Sequence, residues 1–251
     1  MIKFLNGVDF MKDSIIDLTD RTDISKFLTH LTRDTKDADA KENLISILND
    51  RKINASKYCC MFNKGLAKLS EVRQQEFSVT CFTETPLDRL KIVVKTLEHN
   101  NRRFEPYGLI FMKDTQCTES GLGINPVMYI RRQNISLTKS FWSQFNNWRD
   151  DPDGNASFPT FGCLVNHVSS ENDFQWQREW RIKGDYCFDY MQVVAVIAPQ
   201  DDHEDIKVAC TSDSVNKLTF IDSEWNTEEI LYQLSKRHWQ ISEKVLNAFR
   251  F

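Results

Sequence analysis

Three short segments hold residue types whose spacing can do chemistry. The first is Leu28-Thr29-His30-Leu31-Thr32-Arg33. In an extended chain alternate residues share a face, so His30 and Thr32 point one way and Thr29, Leu31 and Arg33 the other. An imidazole beside a hydroxyl can hydrogen-bond a ribose, and a nearby guanidinium can grip a phosphate with two parallel bonds. A structural histidine with a surface arginine fits the same spacing. The second segment runs from Ser78 to Glu84, where a strand feeds a helix N-terminus. Unpaired backbone N–H groups there favour an anion, and Thr83 and Glu84 would line a cleft. The plain alternative is that Thr85 caps the helix and Glu84 offsets its dipole.

The third segment is Gln175-Trp176-Gln177-Arg178-Glu179-Trp180-Arg181-Ile182. Read as one strand, it puts Gln177, Glu179 and Arg181 on one face and Trp176, Arg178, Trp180 and Ile182 on the other. A carboxylate beside an amide can hold a sugar hydroxyl and stabilise positive charge as a glycosidic bond breaks. A cross-strand ion pair on a solvated face is the competing reading.

The elements that must position these groups mix helices and strands without regular βαβ alternation. A helix follows Asp39, with Glu42 at capping-box spacing and Leu44, Ile45, Ile47 and Leu48 on one face. Strands are expected at 78–82, 108–112, 126–130, 179–182 and 193–197. Thr85 and Pro86 are expected to open a helix carrying Leu87, Leu90, Val94 and Leu97. A last helix starts at Asn226, with Glu229 three residues on, and runs to about Phe249. The absence of a glycine-rich phosphate loop argues against Rossmann and P-loop folds.

The chain has 251 residues, 41% hydrophobic and 27% charged. That is ordinary globular usage, and no linker divides it, so a single domain over 1–251 is expected. Asp150 to Asn155 reads as an exposed turn. No run of about 18 apolar residues spans a membrane, and the N-terminus is not a secretory signal. Seven scattered cysteines fit reduced thiols in the cytoplasm. No CxxC or HxxxH spacing supports a zinc site. The net charge of −4 excludes broad capture of nucleic acid but not a local basic patch. One such patch interleaves arginine with aromatics: Tyr129, Arg131 and Arg132, then Phe141, Trp142, Phe145, Trp148 and Arg149. Bases stack on such rings and arginine takes phosphate. Phe141, Trp142, Phe145 and Trp148 also have the spacing of a helix packing on the core.

Taken together, the three segments resemble the three-motif pattern of ADP-ribosyltransferases. Thr29 to Thr32, followed by Asn43-Leu44-Ile45-Ser46-Ile47-Leu48, resembles the opening of DarT-like toxins. Ser78 to Thr83 matches the second motif, without a clear Ser-Thr-Ser, and Gln177-Arg178-Glu179 the third. The chain from about residue 25 to about 200 is also similar to AbiGi-like abortive-infection proteins. There the matching segments are Leu28 to Arg33, Cys81 to Leu87, Tyr107 to Leu109, Asn125 to Tyr129 and Arg178 to Arg181. CmdT-like anti-phage toxins are another relative by resemblance.

The resemblance implies an α+β fold with a split, mostly antiparallel sheet of the ADP-ribosyltransferase type, flanked by helices and gripping NAD. It implies that His30 holds the adenosine ribose, assisted by Thr32, and that Arg33 binds the pyrophosphate. Thr83, with Glu84 beside it, lines the nicotinamide pocket. Glu179 holds the nicotinamide ribose and stabilises the oxocarbenium-like transition state, and Gln177 orients the acceptor. The acceptor is RNA or another nucleic acid, reached through Arg131, Arg132 and Trp142, or else a protein side chain. No metal is needed. The implied setting is the cytoplasm of a bacterium, as a toxin of an anti-phage system held by a cognate antitoxin. Other readings are an NAD glycohydrolase and a non-catalytic antitoxin on the same scaffold, with Glu179 and Arg181 as an ion pair.

Overall fold

The computed structural model describes residues 24–57, 60–95, 105–113, 123–168 and 175–236. Strand β1 (Phe27–Leu31) leads to helix α1 (Ala40–Asp50) and strand β2 (Lys52–Ile53). Short helices α2 (Asn63–Leu66) and α3 (Glu71–Gln75) precede β3 (Val79–Thr83). A 3-10 turn at Leu87–Arg89 runs into α4 (Leu90–Lys95), followed by β4 (Gly108–Met112), β5 (Asn125–Pro126) and β6 (Met128–Arg131). Helices α5 (Ile135–Asp150) and α6 (Phe158–Gly162) lead to β7 (Val165–Val168). Then come β8 (Glu179–Lys183), β9 (Tyr186–Cys187), β10 (Val193–Ile197), α7 (His203–Ala209), β11 (Phe220–Ile221) and a helix over 227–236.

The fold is mixed α+β. Among the described residues, seven strands form one sheet in the order β11-β10-β4-β1-β3-β8-β5. Its pairings are antiparallel except β10 with β11. Strands β6 and β7 form a separate parallel pair, and β2 pairs with β9. No helix among the described residues is long and apolar enough to cross a membrane.

Local sequence explains the best-defined elements. Asp39 and Glu42 close the capping box on α1: the Glu42 N–H donates to Asp39 Oδ1 at 2.8 Å, and the Asp39 N–H donates to Glu42 Oε2 at 3.0 Å. Leu44 and Leu48 are buried, with Ile45 and Ile47 packed half-buried beside them. Asn226 caps the last helix through the Glu229 N–H; its far end lies outside the described residues. The expected strand at 126–130 is in fact two. Pro126 has no N–H to give and stands in the edge strand β5, while β6 joins the other sheet.

Three apolar clusters hold the sheet. One face carries Leu28, Phe82, Phe111, Ile182 and Tyr186 with Leu44 and Leu48 of α1. The opposite face carries two clusters. One gathers Leu31, Ile110, Ala195 and Ile221 with Leu90 and Val93 of α4. The other gathers Val79 with Phe62, Phe77, Phe145, Trp148 and Phe158. Strands β1 and β4 share five register pairs, but β1 and β3 share only Thr29↔Thr83. The sheet therefore has a seam between β1 and β3, and the two clusters of the second face lie on either side of it. Beside the seam, Gly108 faces Leu31, and a side chain there would meet the His30 carbonyl oxygen at 2.1 Å. Only glycine allows β4 to approach so closely.

Candidate functional site

The three segments singled out in the sequence fall on three consecutive strands, β1, β3 and β8. Thr29 stands opposite Thr83, and Thr83 opposite Glu179. Residues directly opposite in neighbouring strands share a face with Cβ atoms about 5 Å apart. A row of polar side chains therefore crosses the seam between two apolar clusters. Thr29 is 1% exposed and its hydroxyl has no hydrogen-bond partner among the described residues. A buried, unsatisfied hydroxyl costs free energy unless something pairs with it. The Thr83 hydroxyl donates to the Gln177 carbonyl at 2.5 Å and lies 2.8 Å from the Thr85 hydroxyl.

Glu179 opens β8 with its side chain 13% exposed. Arg181, two residues on and on the same face, grips it with two bonds: Nε to Oε1 and Nη2 to Oε2, both 2.9 Å. The third arm, Nη1, donates to the Cys163 carbonyl at 2.7 Å. The Tyr129 hydroxyl donates to Glu179 Oε2 at 2.5 Å. A charge-assisted network thus fixes the carboxylate's orientation.

Glu84 sits just past β3, on the opposite face. Its Oε1 accepts from Lys113 Nζ at 2.7 Å and its Oε2 from Trp180 Nε1 at 2.7 Å. The Lys113 ammonium also stands 5.5 Å from the Trp180 ring centroid. Glu84 and Glu179 are therefore not brought together. Both Glu84 oxygens are engaged away from the Thr29–Thr83–Glu179 row.

His30 belongs to the Glu84 face. Its Nδ1 donates to the Cys81 carbonyl across the seam at 2.8 Å, and its ring meets Phe82 edge-on at 5.9 Å. A carbonyl only accepts, so Nδ1 carries the proton and Nε2 is left as acceptor. Burial pushes the pKa of His30 down, the bond to Cys81 opposes this, and Arg33 adds to the lowering. Register thus separates His30 from Glu179 by the thickness of the sheet. Thr32 is 5% exposed, and its hydroxyl donates to the Ala40 carbonyl at 2.8 Å, tying β1 to α1. Arg33 is exposed beyond β1, where its carbonyl accepts from Asn43 Nδ2.

Several expectations are corrected. Gln177 does not share a strand face with Glu179. Gln175–Gln177 is a 3-10 turn, and Arg178 follows with φ of 46°, which breaks the alternation before β8 begins. Gln177 is buried and presents its carbonyl to Thr83. Thr85 does not cap a helix: the 3-10 turn begins at Leu87 behind Pro86, and the Thr85 hydroxyl turns back to Thr83. Trp142 is not an open stacking platform. It packs half-buried and edge-on against Phe62 and Phe145, each at 5.3 Å between ring centres. Its helical spacing with Phe145 and Trp148 places it in the core. Arg131 and Arg132 are exposed at the turn from β6 to α5.

Four residues at the site were not picked out as site residues in the sequence. Tyr129, read there as part of an aromatic–arginine patch, reaches Glu179 from the second sheet. Lys113 reaches Glu84 from beyond β4. Arg89, with Arg178, lines a pocket of about 240 Å³ that also includes Glu84, Thr85 and Val93. The contacts of Tyr129 and Lys113 depend on pairings between distant strands. No group of three His, Cys, Asp or Glu among the described residues is placed to hold a metal ion. Comparison with protein-family models, with curated proteins and with solved structures gives no match.

Proposed function

We propose that this chain cleaves NAD and transfers the ADP-ribose, with Glu179 as the catalytic carboxylate. The observation that supports the reading is the row Thr29–Thr83–Glu179 across the seam between β1 and β3. It joins three distant segments into one polar strip flanked by apolar clusters, and it includes a hydroxyl unpaired among the described residues. In this reading the sugar hydroxyls of NAD meet Thr29 and Thr83. Glu179 accepts the 2′-hydroxyl of the nicotinamide ribose. As the C1′–N bond breaks, its electron pair leaves with nicotinamide, and the carboxylate stabilises the cationic sugar. The acceptor's lone pair then forms the new bond at C1′, and its proton goes to solvent. Arg181 and Tyr129 hold Glu179 in one rotamer, and Oε2 exchanges one of its two bonds for the sugar. His30 supports the seam from the other face. RNA stays the first acceptor and a protein side chain the second. The family resemblance supplies the setting: a cytoplasmic toxin of a bacterial anti-phage system, restrained by an antitoxin.

A second reading is favoured by a specific observation: both oxygens of Glu179 are already bonded, to Arg181 and Tyr129. In a non-catalytic binding module that network is simply structural. The deciding experiment incubates purified protein with labelled NAD alone, and with total RNA, single-stranded DNA or lysate protein. Label on an acceptor identifies a transferase, and free ADP-ribose alone an NAD glycohydrolase. Neither product supports the binding module. Glu179→Gln is expected to lower turnover on the order of 10²–10³-fold with the fold retained. Near wild-type turnover in that variant rejects the assignment.

A further inference from the structure

The pocket on the α4 side of β3 has a lining of two kinds. Pro86, Ile92 and Val93 are its apolar lining residues, and Arg89 and Arg178 are its cationic ones. Glu84 also lines the pocket, and its carboxylate has both oxygens on Lys113 and Trp180. Its charge is thus met by an ammonium before any ligand arrives. Among the described residues the Arg89 side chain has one ion pair, with Asp88 at 3.3 Å, the two side chains 62% and 44% exposed. Such a surface pair is weak and yields readily to a better anion.

Arg178 adds a backbone argument. Among the described residues, only Arg51 and Arg178 are non-glycine residues with positive φ. Arg51 ends α1, where a left-handed residue is a common stop. Arg178 stands directly before Glu179 and borders the pocket. Glycine would hold that turn without strain, but glycine has no guanidinium to offer.

We propose that this pocket binds the phosphate group of a nucleotide-type ligand, with Arg89 and Arg178 as its partners and Pro86, Ile92 and Val93 against the sugar or base. Paired guanidiniums suit a phosphate because their planar forks give parallel bonds to its oxygens. An apolar wall with a few convergent polar groups is the usual make-up of a small-molecule site. The inference does not rest on NAD cleavage, because binding of a phosphate probe reads the pocket alone.

The test is calorimetric titration of the full chain with inorganic pyrophosphate, 5′-AMP, adenosine and a short single-stranded RNA. Pyrophosphate and 5′-AMP are expected to bind in competition, with adenosine at least tenfold weaker than 5′-AMP. Arg89→Ala alone, and with Arg178→Gly, is expected to weaken 5′-AMP at least tenfold. Arg51→Gly, the same change at the other left-handed arginine, leaves it unaltered. Preference for 5′-AMP assigns the site to a free nucleotide, and preference for the RNA assigns it to a strand phosphate. The proposal is overturned if none of the phosphate-bearing probes binds, if adenosine binds as well as 5′-AMP, or if Arg89→Ala and the double variant bind like wild type.

Discussion

Glu84, buried just past β3, and Glu179, half-buried at the start of β8, are two carboxylates directed to opposite faces of one sheet. Each is held by a cation and an aromatic donor: Lys113 and the Trp180 indole for one, Arg181 and the Tyr129 hydroxyl for the other. The difference lies in who holds them. Lys113 is a point charge arriving from beyond β4, and it makes one bond to Glu84. Arg181 comes from the same strand as Glu179, makes two bonds to it and anchors itself on the Cys163 carbonyl. Glu84 therefore ties strands together, while Glu179 is aimed. A rigidly aimed carboxylate is what an active site needs, and a cross-strand tie is what a seam needs.

The largest expected effect comes from breaking the aim. Arg181→Met takes the cation from Glu179, leaving it the Tyr129 hydroxyl, and removes the Nη1 bond to the Cys163 carbonyl; it should cost about 3–5 kcal/mol of stability. Urea unfolding measures it, and a loss below about 1 kcal/mol would show that the pair is not structurally needed. Lys113→Met should cost less, about 2 kcal/mol, since Lys113 makes one bond to Glu84 where Arg181 makes two to Glu179 and a third to Cys163. If the lysine variant proves the less stable of the two, the contrast drawn above is inverted. Tyr129→Phe removes one bond to a charged group and should cost about 1.5 kcal/mol. Under the proposed function its effect on turnover exceeds its effect on NAD affinity, because it loosens aim rather than contact.

The smallest effect is a pH slope. Burial lowers the pKa of His30 from 6.5, so the unfolded chain takes up the proton first as the pH falls. The stability contributed by neutral His30 is complete above pH 6.5 and drains away as the pH drops from there towards the folded value. Burial lowers His167 and His203 as well, with the same sign. The melting temperature should therefore fall between pH 7.5 and 5.5, and His30→Phe should flatten part of that slope. An unchanged slope in His30→Phe would remove the histidine from the seam's energetics.

What was legible in the sequence follows interaction range. The capping box at Asp39, the apolar stripe of α1 and the strands β4, β8 and β10 rest on neighbours within a few residues. Their signals survive in a one-dimensional reading. The aromatic spacing from Phe141 to Trp148 carried two meanings, and burial of Phe145 and Trp148 decides for the core. Glu179 was visible as a carboxylate on a strand, because alternation reveals a face. Its partner Tyr129 and the pairing of Glu84 with Lys113 were not, because pairing between strands from distant parts of the chain leaves no periodic trace. Gln177 was misplaced for a local reason. A left-handed arginine at position 178 is rare enough that alternation had no cause to stop there.

The sheet order also sets a timetable for synthesis. Strand β3 lies between β1 and β8, and the ribosome must cover the 96 positions from Glu84 to Trp180 before β8 can pair. At roughly 5–20 residues per second, that interval lasts about 5–20 s. Throughout it, one edge of Val79–Thr83 has no strand to cover it and invites pairing with other chains. Glu179 and Arg181 both arrive with β8, so the unfinished chain lacks the carboxylate on which the proposed function depends. Under the proposed function a nascent chain is both inert and at its most prone to aggregate, and both conditions end when one strand docks.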